Sequence, residues 1–333
     1  MTEFPTVWRS TGLHWESAVP LLTAIPLGRT EQRPIAEERR RPIAPGQQIC
    51  WRLRGPRRCT GLWNGASRTD CPTAEVVASV GVQSQCRACA AADHGRALAS
   101  DRATDHRTFA LYLAWFGPDL IKVGITAAER DRDRLLEQGA IAFTLLATGS
   151  HGAIRRAERL VTGTGLAAER IGAREKADAW WILPPENERA QLVEAAYTAI
   201  HDAVAALHAG RGADHGPGLW PPGLSLASLK VVDQAIDFGL TEPPPRTYAE
   251  AAAVRDGAIL AGEIKAIIGR LLLLEGPAGP LLVDMRRIAG WQFTLVPVKF
   301  IAGRPSGLLH PSALYSTSRR MPRDDRGDQK SLF

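Results

Sequence analysis

The sequence predicts an α+β protein built around a β-β-α-β-α core. Three observations carry that expectation. A strongly apolar, β-prone pair of runs brackets a Gly117-Pro118-Asp119 turn, and helical periodicity follows it. All five cysteines fall between Cys50 and Cys89. Residues 247–301 alternate and turn in a way that suits strands.

The core spans 107–189. Phe109–Phe116 and Leu120–Ile125 form a hairpin, since two β-prone runs flank a three-residue turn signal. A helix is expected from Thr126 to about Gln138. Thr126 and Glu129 have capping-box spacing, and Gly139 is a suitable residue to end the helix. Ala142–Thr148 is the third strand. Ser150–Thr162 is a second helix, because Ile154, Ala157, Leu160 and Val161 share one face. Trp180-Trp181-Ile182-Leu183 closes the unit as a short apolar strand or anchor before Pro184-Pro185.

Around this core, residues 1–49 read as an N-terminal β or extended region punctuated by prolines, with Glu37 to Arg41 as a solvated loop. Residues 50–106 form a Cys-rich segment with little apolar material for a core of its own. Residues 190–223 hold the rest of a helix, which runs from 186 to 209, and a Gly/Pro-rich linker. Residues 224–320 form a C-terminal β-rich domain, in which 259–274 and 280–285 flank a turn and 291–298 add a strand. Residues 321–333 are a flexible polar tail.

The 333 residues carry a formal charge of +6. Most of the arginine excess is compositional. Residues 50–107, with nine basic and five acidic groups, hold most of the imbalance and favour a polyanionic partner. No charge-free apolar stretch reaches the length of a membrane span, and the first residues do not read as a secretory signal. A cytoplasmic location and no membrane partner are expected. An odd number of cysteines in a reducing compartment favours metal over disulfides. Cys59, Cys71, Cys86 and Cys89, the last two in a CxxC, suit a structural zinc ion, since four thiolates leave it no open position. Cys50 is the spare, and His94 or His106 could replace one thiolate.

The run from Leu111 to Thr126 resembles the signature of the GIY-YIG nuclease superfamily. Tyr112 takes the place of the first tyrosine, and Lys122-Val123-Gly124 that of Tyr-Ile-Gly, as in divergent branches. The Cys-rich segment, Arg134 to Ala140, and the stretch from Gly262 to Trp291 further resemble an uncharacterised bacterial and archaeal family. That family joins a zinc-binding segment, this core and a C-terminal β region.

The nuclease resemblance implies a metal-dependent endonuclease that hydrolyses phosphodiesters in DNA or RNA. Tyr112 would be the general base and Arg134 the phosphate ligand, with Arg130 and Arg132 as alternatives. Glu158 would hold Mg²⁺ or Mn²⁺. Gly124 would let substrate approach the strand, and Lys122 would donate to phosphate or act on Tyr112. The departure at Lys122 equally fits a second reading, a nucleic-acid-binding protein that keeps the fold and no longer cuts. A scaffold without a nucleic-acid role is a third. Each residue also has a structural reading: Tyr112 as core, Lys122 snorkelling from an edge, Arg134 paired with Asp131 or Glu137, Glu158 in an ion pair with a neighbouring arginine.

Overall fold

The computed structural model describes residues 7–27, 37–64, 67–100, 105–130, 132–180, 183–209, 220–240, 248–251 and 254–296. They form two principal sheets with a small zinc-ligand-like segment beside them.

The larger sheet has nine strands. Four come from the start of the chain: β1 (Trp8–Glu16), β2 (Val19–Pro26), β3 (Arg39–Pro42) and β4 (Gln48–Arg54). The short pair β5 (Leu62–Trp63) and β6 (Arg68–Thr69) stands apart in the Cys-rich segment, followed by α1 (Arg87–Ala92) and α2 (His94–Ala99). The smaller principal sheet is built on β7 (Thr108–Trp115), β8 (Ile121–Ala127) and β9 (Ala142–Ser150), with α3 (Asp133–Gln138) between β8 and β9. After β9 come α4 (His151–Gly163), α5 (Ala173–Ala179) and α6 (Glu186–Ala209). Then β10 (Leu224–Leu226) and β11 (Val232–Asp233) pair with β9. The chain returns to the large sheet with β12 (Ala249–Glu250), β13 (Ile259–Ile268), β14 (Leu271–Gly276) and β15 (Gly279–Asp284), then α7 (Met285–Ile288) and β16 (Gln292–Leu295).

The large sheet runs β12-β15-β14-β13-β4-β16-β1-β2-β3. Strands from 1–54 therefore interleave with strands from 249–295. The division at 1–49 and 224–320 drawn from the sequence is corrected here. β4 sits between β13 and β16, and β16 between β4 and β1, so neither end of the chain completes a sheet alone. The expected domain from 224 also loses its first two strands to the core sheet. The stretch Arg39–Arg41 lies in exposed edge strand β3 rather than a loop. Three arginines and Pro42 suit that place, because charge and proline block further pairing.

The core keeps its expected order with local changes. β8 runs on through Thr126 and Ala127, which pair with Ala110 and Phe109. Thr126 is thus a strand residue and caps nothing. A 3₁₀ turn, Ala128–Arg130, intervenes, and α3 begins only at Asp133. Gly139 ends it in the left-handed region at φ 72°, as expected. The Ser150 hydroxyl accepts from the amide of Ala153 and starts α4. α6 spans 186–209 as the periodicity required. α5 was not expected. Trp180 ends it and is buried, whereas Trp181 and Ile182 lie outside the described residues, as do 210–219 of the linker and the tail at 321–333.

Successive strand residues face opposite ways. Leu111, Leu113 and Val123 pack against Ile154, Ala157 and Val161 of α4 and Ile200 and Val204 of α6. Tyr112, Ala114 and Phe116 face the other way, against Leu135 of α3. That second side meets the large sheet. Asp133 accepts from the amides of Ser17 and Ala18 at the β1–β2 turn, both at 3.0 Å. Trp15 donates its indole N–H to the carbonyl of Gly269, 2.7 Å away. Gly269, at φ 62°, turns β13 into β14, splitting the expected run 259–274 into a hairpin. A Cβ there would lie 2.8 Å from the amide nitrogen of Gly139 and 2.9 Å from the carbonyl of Glu137, so only glycine allows the two units this close.

Candidate functional site

Four sulfurs form the first candidate centre. Cys59, Cys71, Cys86 and Cys89 are buried, and their Sγ atoms lie within 4.8 Å of one another. Sulfurs about 2.3 Å from a tetrahedral zinc ion would lie about 3.8 Å apart, so small adjustments suffice. The surroundings fit thiolates. The amides of Cys86 and Gly61 donate to Cys59 Sγ at 3.2 and 3.4 Å, and that of Cys89 to Cys86 Sγ at 3.4 Å. Burial pushes the Cys59 thiol up to about 11, a cost that a bound cation offsets. At Cys71 burial acts in the same direction, yet hydrogen bonds from Thr73 and nearby amides outweigh it and leave about 6. The set can hold a metal such as zinc. Cys50 is not part of it: it sits on β4 opposite Ala261, in a separate apolar cluster. His94 and His106 also lie outside the group.

Two arginines tie this segment to the large sheet. Buried Arg57 donates to the carbonyls of Ala78, Gly81, Arg286 and Ala289 at 2.7–3.0 Å. Burial, with Arg287 nearby, lowers it to about 10. Arg9 of β1, also buried, reaches Asp70 beside Cys71 at 2.5 Å.

The second centre lies where the small sheet meets the large one. Tyr112 and Gly124 are cross-strand partners, and Lys122 pairs with Ala114, so all three share a face. The phenol oxygen accepts from Gln138 Nε2 at 2.6 Å and lies 3.4 Å from Lys122 Nζ. Lys122 also donates to the carbonyl of Val123. The absence of a Cβ at 124 is what admits this arrangement, since one would stand 2.3 Å from the phenol oxygen and 2.7 Å from the lysine nitrogen.

Beside them is a buried ion-pair hub. The Glu137 carboxylate, 3% exposed, receives Arg130 at 2.8 Å, Arg270 at 3.1 Å and Arg134 at 3.3 Å, with His14 Nδ1 at 3.6 Å. Burial alone would raise its pKa; His14, Arg270, Arg130 and Arg134 overcome that and hold it well below the usual carboxylate range. Lys176 of α5 completes the group. Its ammonium donates to the carbonyl of Gln138 at 2.8 Å and stands 3.8 Å from the centre of the Phe116 ring. Burial, then the charges of Lys122, Arg286, Arg134 and Arg270, lower it to about 7.

The structure thus brings Tyr112, Lys122 and Gly124 together and sets Arg130 and Arg134 nearby through Glu137. It does not bring Arg132, whose guanidinium pairs with Asp237. Nor does it bring Glu158. That residue is on α4, which covers the opposite face of the sheet, and its carboxylate takes Arg155 at 2.6 Å. A strand-thick sheet separates it from Tyr112, so the expected meeting of phenol and carboxylate does not occur. Among the described residues, the only group of three or more potential metal-ligating side chains is the cysteine quartet. Sequence reasoning missed Glu137 as a hub, and missed Gln138, Lys176, Arg270 and Arg286. Glu137 did carry a signal, its spacing of three from Arg134. Gln138, beside it on α3, lay within the Arg134 to Ala140 stretch of the resemblance, as Arg270 and Arg286 lay within that from Gly262 to Trp291, but no local pattern linked them or Lys176 to Tyr112, because they come from separate elements.

The molecule is a mixed α+β protein with extensive sheets, few helices and a four-cysteine cluster able to hold a metal. The chain belongs to the DUF2797 family: the model described as "Protein of unknown function (DUF2797)" matches residues 44–293, three quarters of its length. No curated protein and no solved structure matches it. Among the described helices, none is long and apolar enough to cross a membrane.

Proposed function

We propose that the chain is a nucleic-acid-binding protein with a divergent GIY-YIG-like core and a structural zinc ion in its cysteine quartet, and that it binds without cutting. One observation carries the reading. The face that holds Tyr112, Lys122 and Gly124 gathers cations from both sheets, whereas Glu158, the carboxylate that an endonuclease of this type would use for Mg²⁺ or Mn²⁺, sits behind the sheet in an ion pair. Positive groups suit phosphate neutralisation. Hydrolysis would also need a ligand for a metal near the attacked phosphorus, and among the described residues the carboxylates that pair with these cations, Glu137 and Asp284, are occupied by arginine.

Two measurements test this. Binding of single- and double-stranded DNA and RNA, followed against salt, should weaken steeply as salt rises; a flat dependence removes the phosphate contacts. Incubation of plasmid and RNA with Mn²⁺ should leave both intact. Cleavage that is lost in Glu158→Ala would restore the endonuclease and overturn the binding-only reading.

A further inference from the structure

We propose that the cationic cluster between the two sheets is a receptor for a phosphate monoester dianion, the phosphorylated end of a nucleic-acid strand, with Lys122 and Lys176 as its principal ligands. The strand as carrier rests on the nucleic-acid reading above; the cationic cluster itself does not.

The first support is a charge imbalance. Lys122 comes from β8, Arg130 and Arg134 from around α3, Lys176 from α5, Arg270 from the β13–β14 turn and Arg286 from α7. Among the described residues, the carboxylates that pair with these six cations are Glu137 and Asp284, both already engaged. Glu137 is shared by Arg130, Arg134 and Arg270. Asp284 accepts from Arg286 through both oxygens, at 2.9 and 2.6 Å. Among the described residues, neither lysine has a carboxylate within ion-pair distance; their ammonium groups rest on carbonyls, a phenol and a ring face. Gathering uncompensated cations in a half-buried place is costly, and an anion held between them relieves that cost.

The second support is access. The arginine side chains of the cluster keep 35–40% exposure, so the wall is open to solvent. Its floor is not. Tyr112 is 1% exposed, and Lys176 lies against Phe116. A phosphate inside a strand has a sugar on both sides and carries one charge. A terminal monoester is tethered on one side only, so it reaches deeper, and it carries up to two charges above its second pKa of about 6. With Gln138 and Lys122 both directed at the phenol oxygen, the Tyr112 proton is left to donate.

The pH dependence follows from the groups that face Lys176: Lys122 of β8, Tyr112 of β7, Arg134 and Glu137 of α3, Arg270 of the turn and Arg286 of α7. The arginines keep their charge throughout. Lys176, lowered to about 7, loses its proton as pH rises, so affinity for the dianion falls above that value. Lys176→Arg keeps its charge and flattens the fall.

The test uses the full chain and short labelled single strands that differ only in carrying phosphate or hydroxyl at one end, with inorganic phosphate as competitor. The phosphorylated strand should bind about tenfold tighter, the equivalent of one charge-assisted contact. Inorganic phosphate should erase the difference. Lys176→Gln and, separately, Lys122→Gln should abolish the difference between the two strands, over and above any loss of affinity that both strands share; Lys122, on an edge strand, keeps the test valid should the first variant fail to fold. Equal binding of the two strands by the wild type would overturn the receptor and leave the nucleic-acid reading standing. Binding of inorganic phosphate that Lys176→Gln loses, with no strand bound at all, would keep the anion receptor and overturn both its carrier and the nucleic-acid reading.

Discussion

Replacing Glu137 by glutamine tests how the two sheets are held together. The substitution preserves shape and removes the charge that Arg130, Arg134 and Arg270 share at 2.8–3.3 Å, two of them reaching it from α3 and its approach and one from the β13–β14 turn. Removing one partner of a buried pair costs about 3–5 kcal/mol, because the other charge is left without compensation. The arginines here are 35–40% exposed, and water recovers part of that, so the lower end, about 3 kcal/mol, is expected. At about 2–4 °C per kcal/mol, the melting temperature at neutral pH should drop by about 6–12 °C. Circular dichroism reads the melt. Glu158→Gln, which breaks a single pair to Arg155, should cost less than half as much. A double replacement, Glu137→Met with Arg270→Met, should recover part of the loss, since the stranded charge is removed too. Because the folded carboxyl is held below its ordinary 4.5, its contribution is complete above that pH and declines as pH falls through the folded value. The gap between wild type and variant should therefore close on acidification. A Glu137→Gln protein that melts with the wild type at neutral pH would refute the hub as the link between sheets.

Three other outcomes are expected. The purified protein should hold one zinc ion per chain by atomic absorption, and Cys86→Ser or chelation should expose residues 50–106 to protease; metal-free protein with unchanged resistance would count against the site. Arg57→Met removes the donor shared by four carbonyls, of which that of buried Ala289 is the most costly to leave unpaired, and should cost about 1–3 kcal/mol in urea unfolding, with Arg57→Lys no better, since one ammonium cannot reach all four. Gly124→Ala forces a Cβ to 2.3 Å from the Tyr112 hydroxyl and should cost about 1–3 kcal/mol; an unchanged melt would show that the phenol yields freely.

What was legible in the chain was short-ranged. The hairpin of β7 and β8, the helix stop at Gly139, and the full extent of α6 follow from turn chemistry and periodicity within a few residues. The cysteine quartet was legible from residue type and the CxxC, although Cys59 and Cys71 lie far from it, and the structure excluded Cys50, His94 and His106. The pairings of Arg134 with Glu137 and of Glu158 with Arg155 were legible from spacings of three, whereas the burial of both carboxylates was not. The Thr126 capping signal was also read, and lost: two more rungs of strand pairing with Ala110 and Phe109 took the backbone that a helix would have needed.

The amino-acid sequence on its own determined the local elements and the thiol-rich segment able to hold a metal, because each depends on neighbours in the chain or on side-chain chemistry. Tertiary structure decided the rest. β4 pairs with β13 across some two hundred residues, and a strand carries no mark of a partner that distant. The side of the sheet that Glu158 occupies, and the gathering of Lys122, Lys176, Arg270 and Arg286 around Tyr112, depend on which face each element turns to the other sheet. Electrostatic environment is a property of that packing, so it becomes defined only once the two sheets have met.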